Sequence, residues 1–462
     1  MAIIATLKEF FHGRESVSAG DRLLVAVSGG PDSMALLAAM TEIAADLELQ
    51  IYPLHYNYRL QEQAAAGEQV VRSWCDDHDL PLVATALQQP QELETGSGSL
   101  EAEARHLRYQ FFQQAGACLG TNMLLLGHQK DDQVETVLLN LGRGSGLYGL
   151  QGMQPVSHWR QLVLLRPLLE HSRQEIMEFL RRREIPFVTD PTNEGLEFAR
   201  NRLRNQVLPA WEKAQPAPAE AIYNLSRRTA SENDFWQQYL KDNFSYSSWP
   251  GEVQVGVEQL RDSHPAERRR LLHFLCRKLE GGAKLSEQNL EGLEELSSSE
   301  KSGRSLHLPG ELEAVREYDR LAIYRKDSLV PPTSPVNVEV PMNKKWGDIG
   351  EINVSSSAST DEGVYRSELP QHLIEGGVLR LWQAGDRIIY RGKRRKLKEI
   401  FEAERVPFRA RRCWPVVVAG GEVVAVVGLA VKDGNFSEKT VIINFQPEHG
   451  VFAQTGKKNE GD

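Results

Sequence analysis

Val25-Ala26-Val27-Ser28-Gly29-Gly30-Pro31-Asp32-Ser33-Met34-Ala35-Leu36-Leu37 decides the fold of this chain. An apolar run stops at Ser-Gly-Gly and reopens at once in helical residues, which spells a strand, a tight turn and a helix N-terminus. Glycines 29 and 30 let the backbone turn with positive φ and let a ligand come close to it. The helix start offers free N–H groups and a positive dipole end to an anion. Ser28 and Ser33 add hydroxyl donors. Asp32 is the odd residue, because a carboxylate repels phosphate; its presence suggests a divalent cation between it and the phosphates. The plainer reading is a strand–helix corner with Asp32 or Ser33 as N-cap. The whole string Ser28, Gly29, Gly30, Pro31, Asp32, Ser33 behind a buried strand favours nucleotide binding over that reading.

Outward from this corner, strand and helix alternate. Leu23–Val27 reads as a strand followed by a helix to Ala45, and Gln50–Asn57, Pro81–Leu87 and Met123–Gly127 read as further strands. Helices are expected over Gln61–His78, Ser99–Ala117 and Asp132–Leu141. This rhythm predicts an α/β domain over residues 1–213, a doubly wound parallel sheet with ligands bound beyond the strands' carboxyl ends. Ala214-Gln215-Pro216-Ala217-Pro218-Ala219 reads as a linker to a helical middle domain over 220–330, with helices at Glu220–Asn243, Ala266–Leu279 and Ser286–Leu296. Val330-Pro331-Pro332-Thr333-Ser334-Pro335 is a second linker. Beyond it Val336–Val340, Gly350–Val354, Gly377–Leu381 and a hairpin around Gly420-Gly421 predict a β-rich domain over 336–446. The tail after Gln446 reads as loose, and no internal repeat is visible.

Length and composition agree with this layout. The 462 residues predict about three domains. Hydrophobic content of 41% and charged content of 25% are ordinary for a protein with a sizeable core. Cys75, Cys118, Cys276 and Cys413 lie far apart without a C-x-x-C pair, which excludes a common zinc ribbon and argues against a disulfide framework. A reducing, cytoplasmic setting is expected. The N-terminus has no long apolar leader, and the longest apolar stretch, Val423–Val431, is too short to span a bilayer, so no membrane partner is expected. The net charge of −9 does not advertise nucleic-acid binding; the local distribution does.

Four further pieces could carry chemistry. His128-Gln129-Lys130-Asp131-Asp132-Gln133-Val134-Glu135-Thr136 follows the strand at Met123 and so lies on the same sheet edge as Ser28. With a helix starting near Asp132, Asp132 and Glu135 stand one turn apart, able with His128 to hold a cation, bind an amine or take a proton. The competing reading is a capping box with Asp132 at N-cap and Glu135 at N3. In the helix around Arg105-His106-Leu107-Arg108-Tyr109, Leu100, Ala104, Leu107 and Phe111 make the expected core stripe and Arg105 can pair with Glu101. Arg108 has no acidic residue one turn away, which suits an anion such as a polyphosphate, against the ordinary reading of a solvated arginine.

Asp190-Pro191-Thr192-Asn193 is a turn, and the helix after it puts Arg200 and Arg204 on one face; Glu197 pairing with Arg200 is the default there, and phosphate the sharper reading. Near the C-terminus Arg380, Arg387, Arg391, Lys393, Arg394, Arg395, Lys396 and Lys398 crowd together, joined by Arg405, Arg409, Arg411 and Arg412. Trp382, Tyr390, Phe401, Phe408 and Trp414 are interleaved. Such density on an acidic protein points to a face for the RNA backbone rather than a solvated loop. No Walker A sequence occurs. Gly144-Ser145-Gly146-Leu147-Tyr148-Gly149 follows a helix, so it reads as a helix end and loop beside the site instead of a dinucleotide fingerprint.

With these pieces in order, the chain resembles the tRNA(Ile)-lysidine synthetases, a family of PP-loop ATPases, over most of its length. The resemblance rests on Ser28–Ser33, Pro53-Leu54-His55-Tyr56-Asn57, Ala104-Arg105 to Arg108-Tyr109, and His128 to Thr136. It continues in Arg143-Gly144-Ser145-Gly146, Asp190 to Arg204, and Gly385-Asp386-Arg387-Ile388 before Lys396-Leu397-Lys398. It implies ATP-dependent ligation of L-lysine to C2 of the wobble cytidine in an isoleucine tRNA with the CAU anticodon, through an adenylated cytidine. It also implies ATP on Ser28, Gly29, Gly30, Pro31, Asp32 and Ser33, with Mg²⁺ at Asp32. Arg108, Arg200 and His128 would stand at the reacting phosphates, and Asp132 and Glu135 at the lysine amine. Arg391, Lys393, Arg394, Arg395, Lys396 and Lys398 would stand on the tRNA. One departure is Tyr58-Arg59-Leu60-Gln61, where relatives carry His-Gly-Leu-Arg. A PP-loop sulfurtransferase is the nearest rival, but neither Cys75 nor Cys118 has a partner nearby in sequence. A non-catalytic tRNA-binding protein is the reading from another class. The sequence leaves the oligomeric state open, a homodimer included.

Overall fold

The computed structural model describes residues 2–12, 17–57, 63–87, 100–189, 199–279, 285–356, 365–374, 376–433 and 439–452. They fall into two compact units, Met1–Trp236 and Gln237–Asp462.

The first unit opens with α1 (Ala2–His12), β1 (Arg22–Ala26), α2 (Pro31–Ala44), β2 (Gln50–Asn57), α3 (Gln63–Asp77), β3 (Val83–Ala86) and α4 (Leu100–Leu119). It continues with β4 (Met123–Leu125), α5 (Lys130–Gly142), α6 (Leu147–Leu150), β5 (Val156–Trp159), β6 (Leu162–Leu165) and α7 (Arg173–Arg182). The sheet order is β3-β2-β1-β4-β6-β5, parallel except for the β5–β6 hairpin at one edge. The chain runs from β1 outward to β3, then returns to the other side of β1 as β4. The carboxyl ends of β1 and β4 therefore flank the point where strand order reverses, the place where such sheets leave a crevice. Both faces are covered, which explains the unbroken apolar reading of β1: Leu23 and Val25 face a core with α2 and α7, Leu24 faces one with Tyr109 and Phe112. The buried residues of α4 are Tyr109, Phe112 and Ala115; of the expected stripe, Ala104, Leu107 and Phe111 are half-buried, Phe111 packing against that core. The unit closes with α8 (Ala199–Arg202), a π-helical turn at Leu203–Val207, α9 (Leu208–Ala214) and most of α10 (Pro218–Asn243).

In the second unit the expected helices are present as the end of α10, α12 (Pro265–Lys278) and α13 (Glu287–Ser298), with a short α11 (Val257–Asp262) between the first two. They are joined by an antiparallel sheet that the helical reading did not place. It is built from β7 (Tyr246–Trp249), β8 (Glu252–Gly256), β9 (Ser305–Leu308), β10 (Leu312–Glu317) and β11 (Arg320–Arg325), in the order β7-β8-β11-β10-β9. A separate apolar cluster lies beyond the Pro331-Pro332 stretch, around Trp346, Phe401, Trp414 and Phe445. It holds β12 (Val336–Asn337), β13 (Met342–Lys345), β14 (Gly350–Ser355), β15 (Tyr365–Pro370), β16 (Val378–Leu381), β17 (Arg387–Tyr390) and β18 (Lys393–Lys396). The rest is α14 (Leu397–Ala403), α15 (Phe408–Arg411), β19 (Pro415–Ala419), β20 (Glu422–Val426), β21 (Ala430–Val431) and β22 (Thr440–Pro447). The tail is not loose where it is described: Val451 and Phe452 are buried in this cluster, Phe452 against Trp414. No helix among the described residues is long and apolar enough to cross a membrane.

Candidate active site

A cleft of about 630 Å³ opens at the carboxyl ends of β1, β2 and β4. Its floor is the corner at Ser28–Ser33. Neither Asp32 nor Ser33 is the N-cap of α2; that position is Gly30, with Pro31 at the first helical site and no side chain capping the helix. The helix end is left open to an anion, as the phosphate reading requires. The serines, in contrast, bond within the loop. Ser33 Oγ donates to Gly30 O at 2.9 Å and accepts from Ser28 N at 3.1 Å, and Ser28 Oγ accepts from Gly30 N at 3.3 Å. They set the shape of the cradle.

Two glycines that the sequence reading passed over press on this loop. A Cβ on Gly29, whose φ is +88°, would lie 2.7 Å from Gly67 of α3, and a Cβ on Gly67 would lie 2.8 Å from Ser28 O. A Cβ on Gly127, after β4, would lie 2.9 Å from Asp32 O. Backbone packs on backbone at both places. Val188 N adds a hydrogen bond to Gly29 O at 2.9 Å.

Cations surround His128 at the cleft. His128 is largely buried, and burial with the nearby guanidiniums of Arg166, Arg105, Arg200 and Arg108 pushes its imidazole down to about 3. Arg166 Nε donates to His128 Nδ1 at 3.3 Å, so the neutral ring carries its hydrogen on Nε2. His128 is therefore a hydrogen-bond donor near neutral pH and not a base. Arg166 itself is buried and also bonds Gln154 O and Ser157 Oγ at 2.8 Å; nothing in its sequence surroundings pointed to it. Arg108 lines the cleft as expected, whereas Arg105 turns to Tyr109, its guanidinium 4.9 Å from the ring centroid.

Carboxylates and further cations meet at the start of α5. α5 begins two residues before Asp132, at Lys130, and its capping box is Gln129 with Asp132 at N3: Gln129 Oε1 accepts from Asp131 N at 2.6 Å and Gln129 N donates to Asp132 Oδ2 at 3.1 Å. Capping thus uses Asp132 but leaves Glu135 free of it. Glu135, 1% exposed, meets Arg204 Nε at 2.6 Å and Arg200 Nε at 3.6 Å, and Arg204 also stands 3.7 Å from Asp132. Arg200 bonds Thr136 Oγ1 at 3.1 Å. Arg200 and Arg204 do share a face, on either side of the start of the π turn, and that face meets carboxylates. Glu197 and the turn at Asp190–Asn193 lie outside the described residues, as do Tyr58 and Gln61. Burial raises the Glu135 carboxyl against the pull of Arg204. Asp32 is raised to about 6 by burial and by Asp132, and its Oδ1 is buried without a hydrogen-bond partner. Arg173, also missed from sequence, lines the cleft and lowers Asp32 in part. The Gly144–Gly149 string is a helix end and the start of α6, and it does not line the cleft.

The basic stretch near the C-terminus divides in two. Arg380 is spent on Asp386 through two bonds of 2.8 Å, Arg409 on Glu252 and Glu317, and Arg411 on Val406 O and Tyr318. Phe401 and Trp414 are core residues and Trp382 and Tyr390 pack against them, so of the interleaved aromatics Phe408 alone is largely exposed. Arg405 and Arg412 lie over the rings of Tyr318 and Phe408, at 5.0 and 4.8 Å from the centroids, and the other cations sit on the β17–β18 hairpin and the start of α14. Arg391, Lys393, Arg394, Lys396 and Lys398 are exposed and Arg395 half-buried. Arg387 pairs across the hairpin with Lys396, and Ile389 with Arg394. Alternation puts these four on one face of the ribbon.

A PP-loop domain model matches residues 2–211, which with the crevice at the β1–β4 reversal makes this a PP-loop nucleotide-binding protein. Models for a TilS substrate binding domain and a TilS substrate C-terminal domain match residues 257–322 and 378–444. The tRNA(Ile)-lysidine synthase of Geobacter sulfurreducens is 30% identical over 443 residues, 92% of this chain and 93% of that one. The protein of the same name from Caldanaerobacter subterraneus is 29% identical over 448 residues, 93% and 94% of the two chains. A bifunctional protein TilS/HprT from Listeria innocua is 28% identical over 458 residues, 95% of this chain and 70% of that one. The chain belongs to the tRNA(Ile)-lysidine synthase family.

Proposed function

We propose that the chain joins free L-lysine to C2 of the wobble cytidine in the CAU-anticodon isoleucine tRNA, using ATP and releasing pyrophosphate and AMP. The observation that carries this reading is one cleft lined by both signs: Arg108, Arg173, Arg200 and Arg204 beside neutral His128, and Asp32 and Asp132, with Glu135 buried against Arg204. A polyanion needs the cations and an amine the carboxylates, and a simple RNA-binding surface needs no such mixed cleft. The sulfurtransferase reading finds no support: Cys75 is buried with its thiol pushed up to about 11 by burial, and Cys118 is absent from the cleft lining.

The triphosphate is taken up by the open N-terminus of α2 and by Arg108 and the His128 Nε2 hydrogen. The cytidine C2 oxygen attacks the α-phosphorus as pyrophosphate leaves, and fixed donors stabilise the developing charge. The lysine ammonium is bound by Asp132 and Glu135 and loses a proton to one of them. Its amine attacks C2, and the bond from C2 to the AMP oxygen breaks. His128, neutral and already carrying a hydrogen on Nε2, is not that base; a carboxyl raised by burial is better matched. Arg204 occupies Glu135 before lysine arrives, so lysine must displace it. Among the described residues no group of three metal-binding side chains exists, so Mg²⁺ would be held by Asp32 together with the nucleotide's own phosphates, where it would offset their charge. The exposed cations of the β17–β18 hairpin grip the tRNA backbone. The reading places the enzyme in the cytoplasm and requires no second copy of the chain.

Purified protein with ATP, Mg²⁺ and labelled lysine is expected to label a CAU isoleucine tRNA transcript. Absence of label, or equal labelling of an initiator tRNA with the same anticodon, overturns the assignment.

A further inference from the structure

The tip of the β17–β18 hairpin is a two-residue turn, Arg391-Gly392, with φ of +51° and +72°. Both positions are left-handed, the geometry of the turn that matches strand twist in a tight hairpin, and Arg391 adopts it without being glycine. What holds it is a carboxylate. Asp433, just beyond β21, accepts from Arg391 N at 3.0 Å through Oδ1 and from Gly392 N at 2.6 Å through Oδ2, and its own N–H donates to Ile389 O at 3.0 Å. The preceding residue, Lys432, is tied back to the core strand β20 by its N–H to Val424 O at 2.9 Å. A two-stranded ribbon alone is marginally stable in water. This one is pinned at its tip from the neighbouring sheet.

Asp433 is also an exposed negative charge beside the densest group of cations on the protein. By charge alone it weakens any grip on phosphate. Geometry and electrostatics therefore pull in opposite directions at one residue, and a test can tell them apart. We propose that Asp433 is a positioning residue for RNA: it fixes the Arg391-Gly392 tip so that the cations of the hairpin meet the phosphate backbone already ordered, with less conformational entropy to lose on binding. The proposal rests on the reading of this hairpin as the tRNA-binding face.

The test uses the full-length protein and an unmodified transcript of the CAU isoleucine tRNA. Binding is measured for wild type, Arg394→Glu, Asp433→Ala and Asp433→Asn, together with kcat and KM for tRNA. Asp433→Ala is expected to weaken binding about 5–10-fold and raise KM with kcat unchanged, although it makes the patch more positive. Asp433→Asn removes the same charge but keeps one acceptor oxygen, and it is expected to fall between. Equal or tighter binding by both Asp433 variants, with Arg394→Glu weakened, overturns the positioning role and leaves the hairpin as the RNA face. Unchanged binding by Arg394→Glu overturns the reading of the hairpin itself. Thermal unfolding of each variant guards against a fold defect, which would lower kcat as well as affinity.

Discussion

Each unit holds a buried glutamate met by arginine, Glu135 in the first and Glu252 in the second, and the two clusters differ in what is left over. In the second unit, Arg409 bonds Glu252 at 2.9 Å and Glu317 at 2.8 Å, with its guanidinium 3.9 Å from the Tyr324 ring centroid. His449 Nδ1 and Gln254 Nε2 complete the shell of Glu252, at 3.1 and 2.7 Å. Against the effect of burial, His449 and Arg409 hold the Glu252 carboxyl down at about 2. Arg409 is 11% exposed, and its guanidinium and both carboxylates are paired, with His449 Nε2 alone in the cluster left buried and unpartnered. In the first unit, Arg204 bonds Glu135 Oε1 while Oε2, 3.6 Å from Arg200, has no hydrogen bond; the two arginines are 28% and 42% exposed and stand in the lining of a cleft. A saturated cluster joins the two apolar clusters of its unit. An unsaturated one can exchange a partner for a ligand. Sequence shows an arginine in a basic stretch in both cases; saturation is what separates structure from chemistry.

The comparison breaks first at Glu135. Glu135→Gln keeps the volume and removes the charge, and lysine transfer is expected to fall about 10²–10⁴-fold. Its unfolding free energy should move by no more than about 1–2 kcal/mol, since Arg204 retains Asp132. A full-rate enzyme would show that the cluster is structural after all. Arg409→Met should do the reverse: leaving two buried carboxylates without their cation costs about 3–5 kcal/mol in urea unfolding, while the folded fraction keeps its rate of AMP release.

Asp32 sharpens the contrast through pH. Its carboxyl is raised to about 6, so the folded protein binds this proton more tightly than the unfolded chain, whose value is near 3.8. Stability therefore falls as pH rises from about 4 to 6, and the ionised group is a cost at neutral pH. Asp32→Asn should stabilise the ligand-free protein by on the order of 1–2 kcal/mol at pH 7.5, with the gain disappearing near pH 4, while ATP-dependent labelling is lost. An equal stability difference at both pH values would remove Asp32 as its source. The smallest effect belongs to His128. His128→Gln offers an amide N–H in place of Nε2–H and should keep activity within about tenfold with an unchanged pH profile, whereas a catalytic base would take a limb of the profile with it.

Much of the first unit was legible because its strands are buried on both faces and its motifs sit at strand ends. β2 was read to the residue, and the corner at Ser28 came directly from the glycines and the apolar runs beside them. The start of α5 was misplaced because Gln129, an uncommon cap, does the work expected of Asp132. Arg166 was invisible for a different reason: its role depends on β6 lying beside β4, a pairing that no local pattern encodes. The sheet of the middle region escaped because its strands are short and interrupted by charge, as in Leu312–Glu317, so helical periodicity dominated the reading. The basic stretch exposed the limit of counting charge. Arg380, Arg409 and Arg411 are indistinguishable in sequence from Arg391 and Arg394, and only the position of Asp386, Glu252, Glu317 and Tyr318 in space sorts them.

The contacts of Gly67 and Gly127 carry one more consequence. Because the loop between β1 and α2 is pressed by main chain from both sides, its outline is inherited from the placement of α3 and of the segment after β4, and cannot be retuned by exchanging side chains within it. Selection for a different nucleotide would have to work on the cleft's outer walls. The floor is a fixed gauge, and a lineage that altered it would first have to rebuild the two segments that set its width.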